Sequence, residues 1–348
     1  MEMECKSLRQ YLVENNKAKE AKGLTREPIF CIENAFLEKM DLMKAFVEEI
    51  YYPKIERLYP WFTDHGKKHV ESILNMVAEM LGPYRRHLNA FEIYILYMAV
   101  IFHDTGMVKS RKKHGDEVKD ILSTFSSYIG NREIENIITR IAAAHTGGFE
   151  KVDRLSTKHG ISYRSLNEFI DARALASLLR FADEVSETVD RIDQDLLDED
   201  KVPEESRIYW EYANCIKISK ANPIANKIEM DLRVANTIFY KEFILVKDGS
   251  EEKVPFIEYL LSRLDKMDNE RRNCCANFRS MASIDTIEIN LTIVDDAGNE
   301  ISGISPLLIS LNEKYCDRNS FIDSFYDKNP ELKDPEEFKK KLFAEVVE

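Results

Sequence analysis

Histidines and aspartates on apolar segments are the residues of this chain that could do chemistry. One of the seven histidines is followed directly by an aspartate, His103-Asp104, where an apolar run ends. His69 lies 34 residues before this histidine, His145 lies 42 residues after it, and Asp183 follows on a later apolar segment. Neutral imidazoles and carboxylates that face inward on successive segments are typical of a site for a divalent ion. Such an ion, with an open coordination position, favours hydrolysis.

Each of these residues taken alone also has a structural interpretation. A buried His-Asp pair is often a hydrogen-bonded core pair. His145 lies at the end of a row of isoleucines at helical spacing, so it could equally be a core histidine. A buried carboxylate needs a partner, which for Asp183 could be Arg180 or Arg191. Five such residues on four predicted helices nevertheless favour a metal. Two or three imidazoles with two carboxylates suit Mn²⁺, Fe²⁺, Co²⁺, Ni²⁺ or Zn²⁺, with Mg²⁺ as a further possibility.

The elements that must position these residues are predicted to be helices over about the first 190 residues. The helical patterns cover 32–58, 63–82, 89–102, 116–129, 131–147 and 168–191. Asn89 and Glu92 form a capping box at the start of the third helix, and Gly106 is a natural stop after it.

The pattern changes after residue 195. Lys227–Val234 and Thr286–Val294 alternate between apolar and polar residues, which predicts strands with one buried face. Between them a long helix is predicted over 255–280 with Pro255 in its first position. Asp334-Pro335 predicts the start of a last helix. We therefore predict a mainly α protein with an N-terminal helical extension (1–50), a helical core (51–195) and a smaller α+β C-terminal region (196–348).

Composition limits the possible partners. The net charge is −13 and there is no long basic stripe, which argues against binding long nucleic acid. The six cysteines show no C-x-x-C pair, and the N-terminus has no apolar signal region. The longest apolar run, Ile93 to Phe102, is too short to span a bilayer. We expect a soluble cytoplasmic protein without a membrane partner.

In this order along the chain, these residues resemble the HD-domain superfamily of metal-dependent phosphohydrolases. The resemblance rests on His69, on His103-Asp104 with Thr105-Gly106-Met107 after it, and on Asp183 within Leu178-Leu-Arg-Phe-Ala-Asp-Glu. It covers roughly residues 50 to 195 and implies an HD-type helical bundle. It also implies that the metal is held by His69, His103, Asp104 and Asp183. The stretch from Phe62 to Val70 and the later Ser206-Arg-Ile-Tyr-Trp look most like HD domains sometimes joined to chaperone-type ATPases.

The resemblance suggests catalytic roles for three further histidines. In cyclic-nucleotide phosphodiesterases of the superfamily, an H-x-x-x-H of the form His65…His69 gives a leaving-group acid followed by a ligand, so His65 is a candidate general acid. A solvated helix-start histidine is the alternative. His114, just before a predicted helix N-terminus, is a candidate to bind or protonate phosphate. His145 is grouped with it as a catalytic candidate, and the alternative is that His114 and His145 ligate a second metal. The basic residues 111–113 (Arg111, Lys112, Lys113) beside a helix N-terminus suit a substrate phosphate, or form a solvated loop.

Several subfamilies and folds are disfavoured by missing motifs. No Gly-Tyr-Pro and no pair of acidic residues follows the HD pair, and there is no Walker A loop. We therefore predict a metal-dependent nucleotide phosphohydrolase, using one or two ions, in which a metal-bound hydroxide attacks phosphorus of a (deoxy)nucleoside triphosphate. A phosphodiesterase acting on cyclic or short oligonucleotides is the alternative, followed by a nucleotide-sensing module without turnover and a helical scaffold.

The biological setting is predicted by association with the family alone. The C-terminal region is a candidate for oligomerisation or for binding a nucleotide effector, because exposed sheet edges and a long helix readily pair, and we expect a homo-oligomer. Control of nucleotide pools or defence against phage would fit such an enzyme.

Overall fold

The protein consists of two compact units. The computed structural model describes residues 7–20, 34–82, 88–163, 166–247, 249–295, 297–301, 305–312 and 321–338. The first unit contains residues 1–60, 64–186 and 273–283, and the second contains residues 61–63, 187–272 and 284–348. The division into 1–50, 51–195 and 196–348 stays a prediction.

The first unit is built from helices, as predicted. The helices are α1 (Leu8–Glu20), α2 (Asn34–Phe46), α3 (Tyr52–Leu58), α4 (Lys67–Leu81), α5 (Ala90–Phe102), α6 (His114–Ser123), α7 (Ser126–Ile129), α8 (Arg132–Ala143), α9 (Glu150–Asp153) and α10 (Ala172–Val185). A π-helical turn, Val47–Tyr51, joins α2 to α3, and a 3₁₀ turn, Thr105–Val108, follows α5.

Helix α5 is the centre of this unit, because all of its 13 residues are buried. The predicted capping box is present: the Asn89 side chain accepts from Glu92 N, and the Glu92 carboxylate accepts from Asn89 N. The second oxygen of Glu92 accepts from Asp171 N and so ties the start of α5 to the start of α10. The segment Ala90–Val108 is long and apolar enough to cross a membrane, but 94% of it is buried inside the protein, as in a core helix.

Several predicted helices are shorter or interrupted in the structure. The helix predicted over 168–191 begins at Ala172, where Asp171 Oδ1 accepts from Ala174 N, and an antiparallel hairpin precedes it: β1 (His159–Tyr163) and β2 (Leu166–Ile170). The helix predicted over 116–129 breaks between α6 and α7. Thr124 and Ser126 hydroxyls donate there to carbonyls three residues back and compete with helical bonds.

The second unit combines helices with a four-stranded sheet. Its elements are α11 (Gln194–Asp198), α12 (Glu204–Cys215), β3 (Ile216–Asn222), β4 (Lys227–Ala235), α13 (Asn236–Phe239), β5 (Glu242–Lys247), β6 (Ser250–Pro255), the long α14 (Phe256–Phe278, whose end belongs to the first unit), β7 (Thr286–Val294), β8 (Leu307–Leu311) and α15 (Phe321–Lys328). The strand order is β3-β4-β7-β8, with β4 and β7 parallel and the outer pairs antiparallel. The mainly α fold with a smaller α+β C-terminal region is therefore confirmed.

Two details of this region differ from the prediction. Pro255 ends β6, where it lies opposite Glu242, and does not begin α14. Helix α15 was not predicted. The first turn after Asp334 has the expected cap, since Asp334 Oδ1 accepts from Glu336 N, and the rest of that predicted helix lies outside the described residues.

Candidate metal centre

The candidate ligands lie at the ends of helices in the first unit. His69 is in the first turn of α4, and Asp64 fixes that turn: its Oδ1 accepts from Gly66 N and its Oδ2 accepts from His69 N, both at 2.9 Å. A carboxylate at a helix N-terminus satisfies free amides and complements the helix dipole. The backbone at His69 is thereby held in place.

The end of α5 orients His103. Helix ends leave carbonyls without helical partners, and three of them are used here. His103 Nδ1 donates to Val100 O at 2.7 Å, Tyr52 OH donates to Ile101 O at 2.9 Å, and Thr105 Oγ1 donates to Phe102 O at 2.7 Å. The HD pair therefore sits on a helix end whose carbonyls are occupied by side chains.

His114 and His145 are held in the same way. His114 Nδ1 donates to Arg111 O at 2.7 Å, and His145 Nδ1 donates to Ala142 O at 2.6 Å. Because a carbonyl oxygen can only accept, Nδ1 carries the hydrogen in these two histidines and in His103. In the neutral ring the lone pair is then on Nε2, which is the arrangement typical of a metal-ligating histidine.

The Asp104 carboxylate lies between two pairs of imidazoles. Its Oδ2 is 3.1 Å from His103 Nε2 and 3.6 Å from His69 Nε2. Its Oδ1 is 3.2 Å from His114 Nε2 and 3.4 Å from His145 Nε2. One buried carboxylate therefore serves both pairs of histidines.

Asp183 completes the first of these pairs. Its Oδ1 is 3.1 Å from His69 Nε2, and 26% of its side chain is exposed, whereas Asp104 is 6% exposed. The side of the centre that carries Asp183 is therefore the more open one.

The donor atoms fit divalent ions. His103 Nε2 is 3.3 Å from His69 Nε2, and His114 Nε2 is 3.0 Å from His145 Nε2. If His114 and His145 are both neutral, their Nε2 lone pairs face each other, and a cation held by both nitrogens would relieve that repulsion. Ligands at roughly 2.1 Å from an ion lie about 3.0 Å apart at right angles and about 3.4 Å apart at the tetrahedral angle.

The charges in the centre lower the pKa values of its carboxyl groups. Burial alone would raise the pKa of Asp104, but the surrounding imidazoles, above all that of His103, hold it well below its usual value. The pKa of Asp183 is likewise lowered against the effect of burial, chiefly by His69. Both groups are therefore carboxylates at neutral pH, as metal ligands must be.

His103 and His145 respond differently to burial. Burial lowers the pKa of His103, but the carboxylates of Asp104 and Asp183 outweigh it and raise the pKa to about 9. Burial lowers the pKa of His145, and there the carboxylates do not compensate. The neighbouring carboxylates therefore favour a proton at His103, whereas burial disfavours one at His145.

Comparison with known families agrees with this geometry. The HD-CE family model matches residues 58–238, more than half of the 348 residues. The chain belongs to the HD-CE family. No curated protein matches the chain. The HD-CE match contains every candidate ligand and continues past residue 195, where the sequence resemblance ended, through β3 and β4. The protein thus has an HD-type domain whose buried His/Asp cluster could hold a metal, as in a phosphohydrolase-like module.

Other predicted residues of the HD-CE domain lie around this cluster. His65 precedes α4, because that helix begins at Lys67, and its ring centroid is 5.8 Å from that of His69. The basic residues Arg111, Lys112 and Lys113 are exposed, directly before α6. Their roles toward substrate stay predictions.

The arginines considered as partners of Asp183 make other contacts. Arg180 Nη1 donates to Ala144 O at 3.3 Å and to Gly147 O at 3.0 Å. Arg191 Nη1 lies 3.8 Å from Glu187 Oε1. The groups that lower the pKa of Asp183 most are imidazoles, so the carboxylate belongs to the histidine cluster.

Two supporting residues were missed from the sequence. Asp64 carried a signal, because an aspartate just before a helical pattern is a typical cap. Tyr52 carried none, because its partner Ile101 is 49 residues away in the chain.

Proposed function

We propose that this HD-CE protein is a metal-dependent nucleotide phosphohydrolase with two ions, both of which would be held in part by Asp104. The observation that carries the proposal is the position of this carboxylate between two imidazole pairs. One ion would be held by His69, His103, Asp104 and Asp183. The other would be held by His114, His145 and Asp104, in preference to the catalytic roles predicted for these two histidines.

Such a pair of ions supplies two things when bound: a water whose pKa falls to about 7, and charge neutralisation at phosphorus. The residues of the chain do the rest. Each Nδ1–H bond to a carbonyl fixes the ring of His103, His114 or His145 so that its Nε2 is left to hold an ion. The partial exposure of Asp183 supports substrate entry on that side.

The proposed substrate is a (deoxy)nucleoside triphosphate. Arg111, Lys112 and Lys113 are exposed and directly precede the α6 N-terminus, and Arg111 also supplies the carbonyl that orients His114. Cations at a helix N-terminus favour a polyphosphate, and the net charge of −13 disfavours long nucleic acid. A cytoplasmic homo-oligomer with a nucleotide effector bound to the C-terminal region, acting in nucleotide-pool control or phage defence, completes the proposal.

A phosphodiesterase acting on cyclic or short oligonucleotides is the second candidate, and His65 favours it. The ring centroid of His65 lies 5.8 Å from that of His69, a candidate ligand. From there His65 could donate a proton to the leaving oxygen. In that case His65→Ala lowers turnover of nucleotide esters strongly but that of a p-nitrophenyl phosphodiester little, because the nitrophenolate leaves without a proton.

The test is metal analysis of the full chain, followed by product release from a panel of nucleotides. The panel contains the (deoxy)nucleoside triphosphates, cyclic mononucleotides and short oligonucleotides, each with protein as purified, chelated, and resupplied with Mn²⁺. Turnover of triphosphates that chelation abolishes and Mn²⁺ restores supports the proposal. Turnover of cyclic or oligonucleotides alone supports the second candidate. Bound metal with no turnover indicates a sensor, and neither metal nor turnover indicates a scaffold.

A further inference from the structure

We infer that Gly106 and Gly115 are positioning residues that build the second ion's site by letting His114 approach Asp104 and His145. This inference rests on the proposed function, because it concerns one of the two proposed ions. It is carried by two places where a glycine packs so closely against neighbouring residues that an added Cβ atom would clash.

The first place is the contact of Gly106 with the start of α6. A Cβ atom added to Gly106 would lie 2.0 Å from the carbonyl oxygen of His114 and 2.9 Å from its carbonyl carbon. Real Cβ atoms essentially never come within 3.0 Å of another heavy atom. A carbonyl group cannot rotate away as a side chain can, so the backbone at His114 would have to move.

The second place is the contact of Gly115 with the end of α8. A Cβ atom there would lie 2.6 Å from Thr146 Cγ2 and 3.0 Å from Ala143 O. Gly106 and Gly115 both have ordinary backbone angles, so what they provide is space and not a special conformation. The Gly106 contact brings His114 close to the segment after Asp104. The Gly115 contact brings it close to the segment that carries His145.

The shift that alanine would cause falls on His114 and not on the HD pair. The segment around Asp104 is fixed by the bonds to the α5 carbonyls, and Tyr59 OH donates to Met107 O at 3.1 Å. In contrast, residues 111–113 before His114 are exposed. Relieving the Gly106 contact requires a movement of roughly 1 Å, whereas ligand distances in metal sites hold to about 0.2 Å.

The expected result is loss of one ion and not of both. His69 and Asp183 lie on α4 and α10, which neither glycine contact involves. Gly106→Ala should therefore keep the ion at His69, His103 and Asp183 and lose the ion at His114 and His145. Gly115→Ala should weaken the second ion less, because its closest clash is with a methyl group.

The experiment measures bound Mn²⁺ per chain after dialysis, together with the electron paramagnetic resonance spectrum, for the full-length protein and its variants. We expect two ions with a spin-coupled spectrum in the wild type, and one ion with the six-line spectrum of isolated Mn²⁺ in Gly106→Ala. Gly148→Ala is the matched control. It lies close to His145, but its added Cβ would meet only the Glu150 carboxylate, which can rotate away, so both ions should remain.

A cooperative thermal transition shows that each variant is folded, and Gly115→Ala takes the place of Gly106→Ala if the latter is not. A folded variant that keeps two coupled ions overturns the inference. A wild type with one ion also overturns it and leaves a mononuclear phosphohydrolase. A wild type that binds no ion fails the proposed function itself, and the inference with it.

Discussion

The two halves of the candidate metal centre share a carboxylate but differ in charge. The first half consists of His69, His103 and Asp183 with Oδ2 of Asp104, and the second half consists of His114 and His145 with Oδ1 of Asp104. Asp183 gives the first half a carboxylate of its own. Because affinity for a cation rises with the charge of its ligands, the first half should hold its ion more tightly.

The pKa values of His103 in the first half and of His145 in the second differ in the same sense. The pKa of His103 is raised to about 9, whereas that of His145 is lowered. A site that attracts a proton strongly also attracts a metal ion, provided that the pH is high enough to free the nitrogen. The predictions below either remove this difference or measure it.

The largest effect is expected for Asp104→Ala, which removes the ligand that both halves share. Loss of residues that only support ligands typically costs 10- to 100-fold, so we expect activity to fall by more than about 100-fold and both ions to be lost. Elemental analysis and product release measure the two effects. Asp120→Ala is the control, since Asp120 is an exposed residue of α6 that forms an ion pair with Lys109. A variant that kept both ions would rule out a bridging role for Asp104.

The next comparison sets His145→Ala against Asp183→Ala. His145→Ala leaves the first half intact and should retain one tightly bound ion after dialysis. Asp183→Ala leaves the first half, like the second, with only the shared carboxylate, so the ion of the first half should bind more weakly, by about 10-fold or more. Isothermal titration with Mn²⁺ distinguishes the two variants, and equal affinities in both would remove the asymmetry between the halves.

A smaller effect is expected in the stability of the metal-free protein as pH changes. His103 has a folded pKa of about 9 and an unfolded value of 6.5. Its contribution to the free energy of unfolding is therefore complete below pH 6.5 and is lost as pH rises toward 9. A pKa shift of this size is worth roughly 3 kcal/mol. His145 acts oppositely: its lowered pKa costs stability as pH falls below 6.5.

Thermal unfolding of chelated protein between pH 5 and pH 9 measures how the stability of the metal-free protein changes with pH. His103→Gln should abolish the loss on the alkaline side, and wild type saturated with Mn²⁺ should lack it. A chelated wild type whose stability did not fall between pH 6.5 and pH 9 would show that His103 does not hold the proton.

The sequence predicted the donors better than it predicted their arrangement. Periodicity placed His69, His103 and Asp183 on inward faces because the neighbouring apolar residues recur at helical spacing. It could not show that the two oxygens of Asp104 face different histidines, because that depends on the contact between α6 and α8. The close approach at Gly106 is also set by tertiary packing, and the sequence indicated only a helix stop there.

The fold shows the same limit. The capping box at Asn89 and the alternation in β4 and β7 are local, and both were predicted correctly. The β1–β2 hairpin was missed because apolar residues around 169–179 continue the helical pattern that begins at Ala172. The parallel pairing of β4 with β7 joins residues about 60 positions apart, such as Lys227 and Thr286, which local patterns do not encode.

The smallest effect is expected for Tyr52→Phe, which tests whether the capped end of α5 supports the centre or only the fold. The substitution leaves the buried Ile101 carbonyl without the hydroxyl that donates to it, which should cost about 1–3 kcal/mol in the free energy of unfolding. His103 Nδ1 and Thr105 Oγ1 still occupy the neighbouring carbonyls, so the stoichiometry of two ions should persist.

Urea denaturation and metal analysis measure the two quantities on one sample, with Tyr128→Phe as the control because Tyr128 is 45% exposed. Loss of an ion at unchanged stability would mean that Tyr52 positions the HD pair directly. Loss of stability with both ions retained would mean that His103 is oriented by its own helix end, and that the first half of the centre depends on α5 more than on α3.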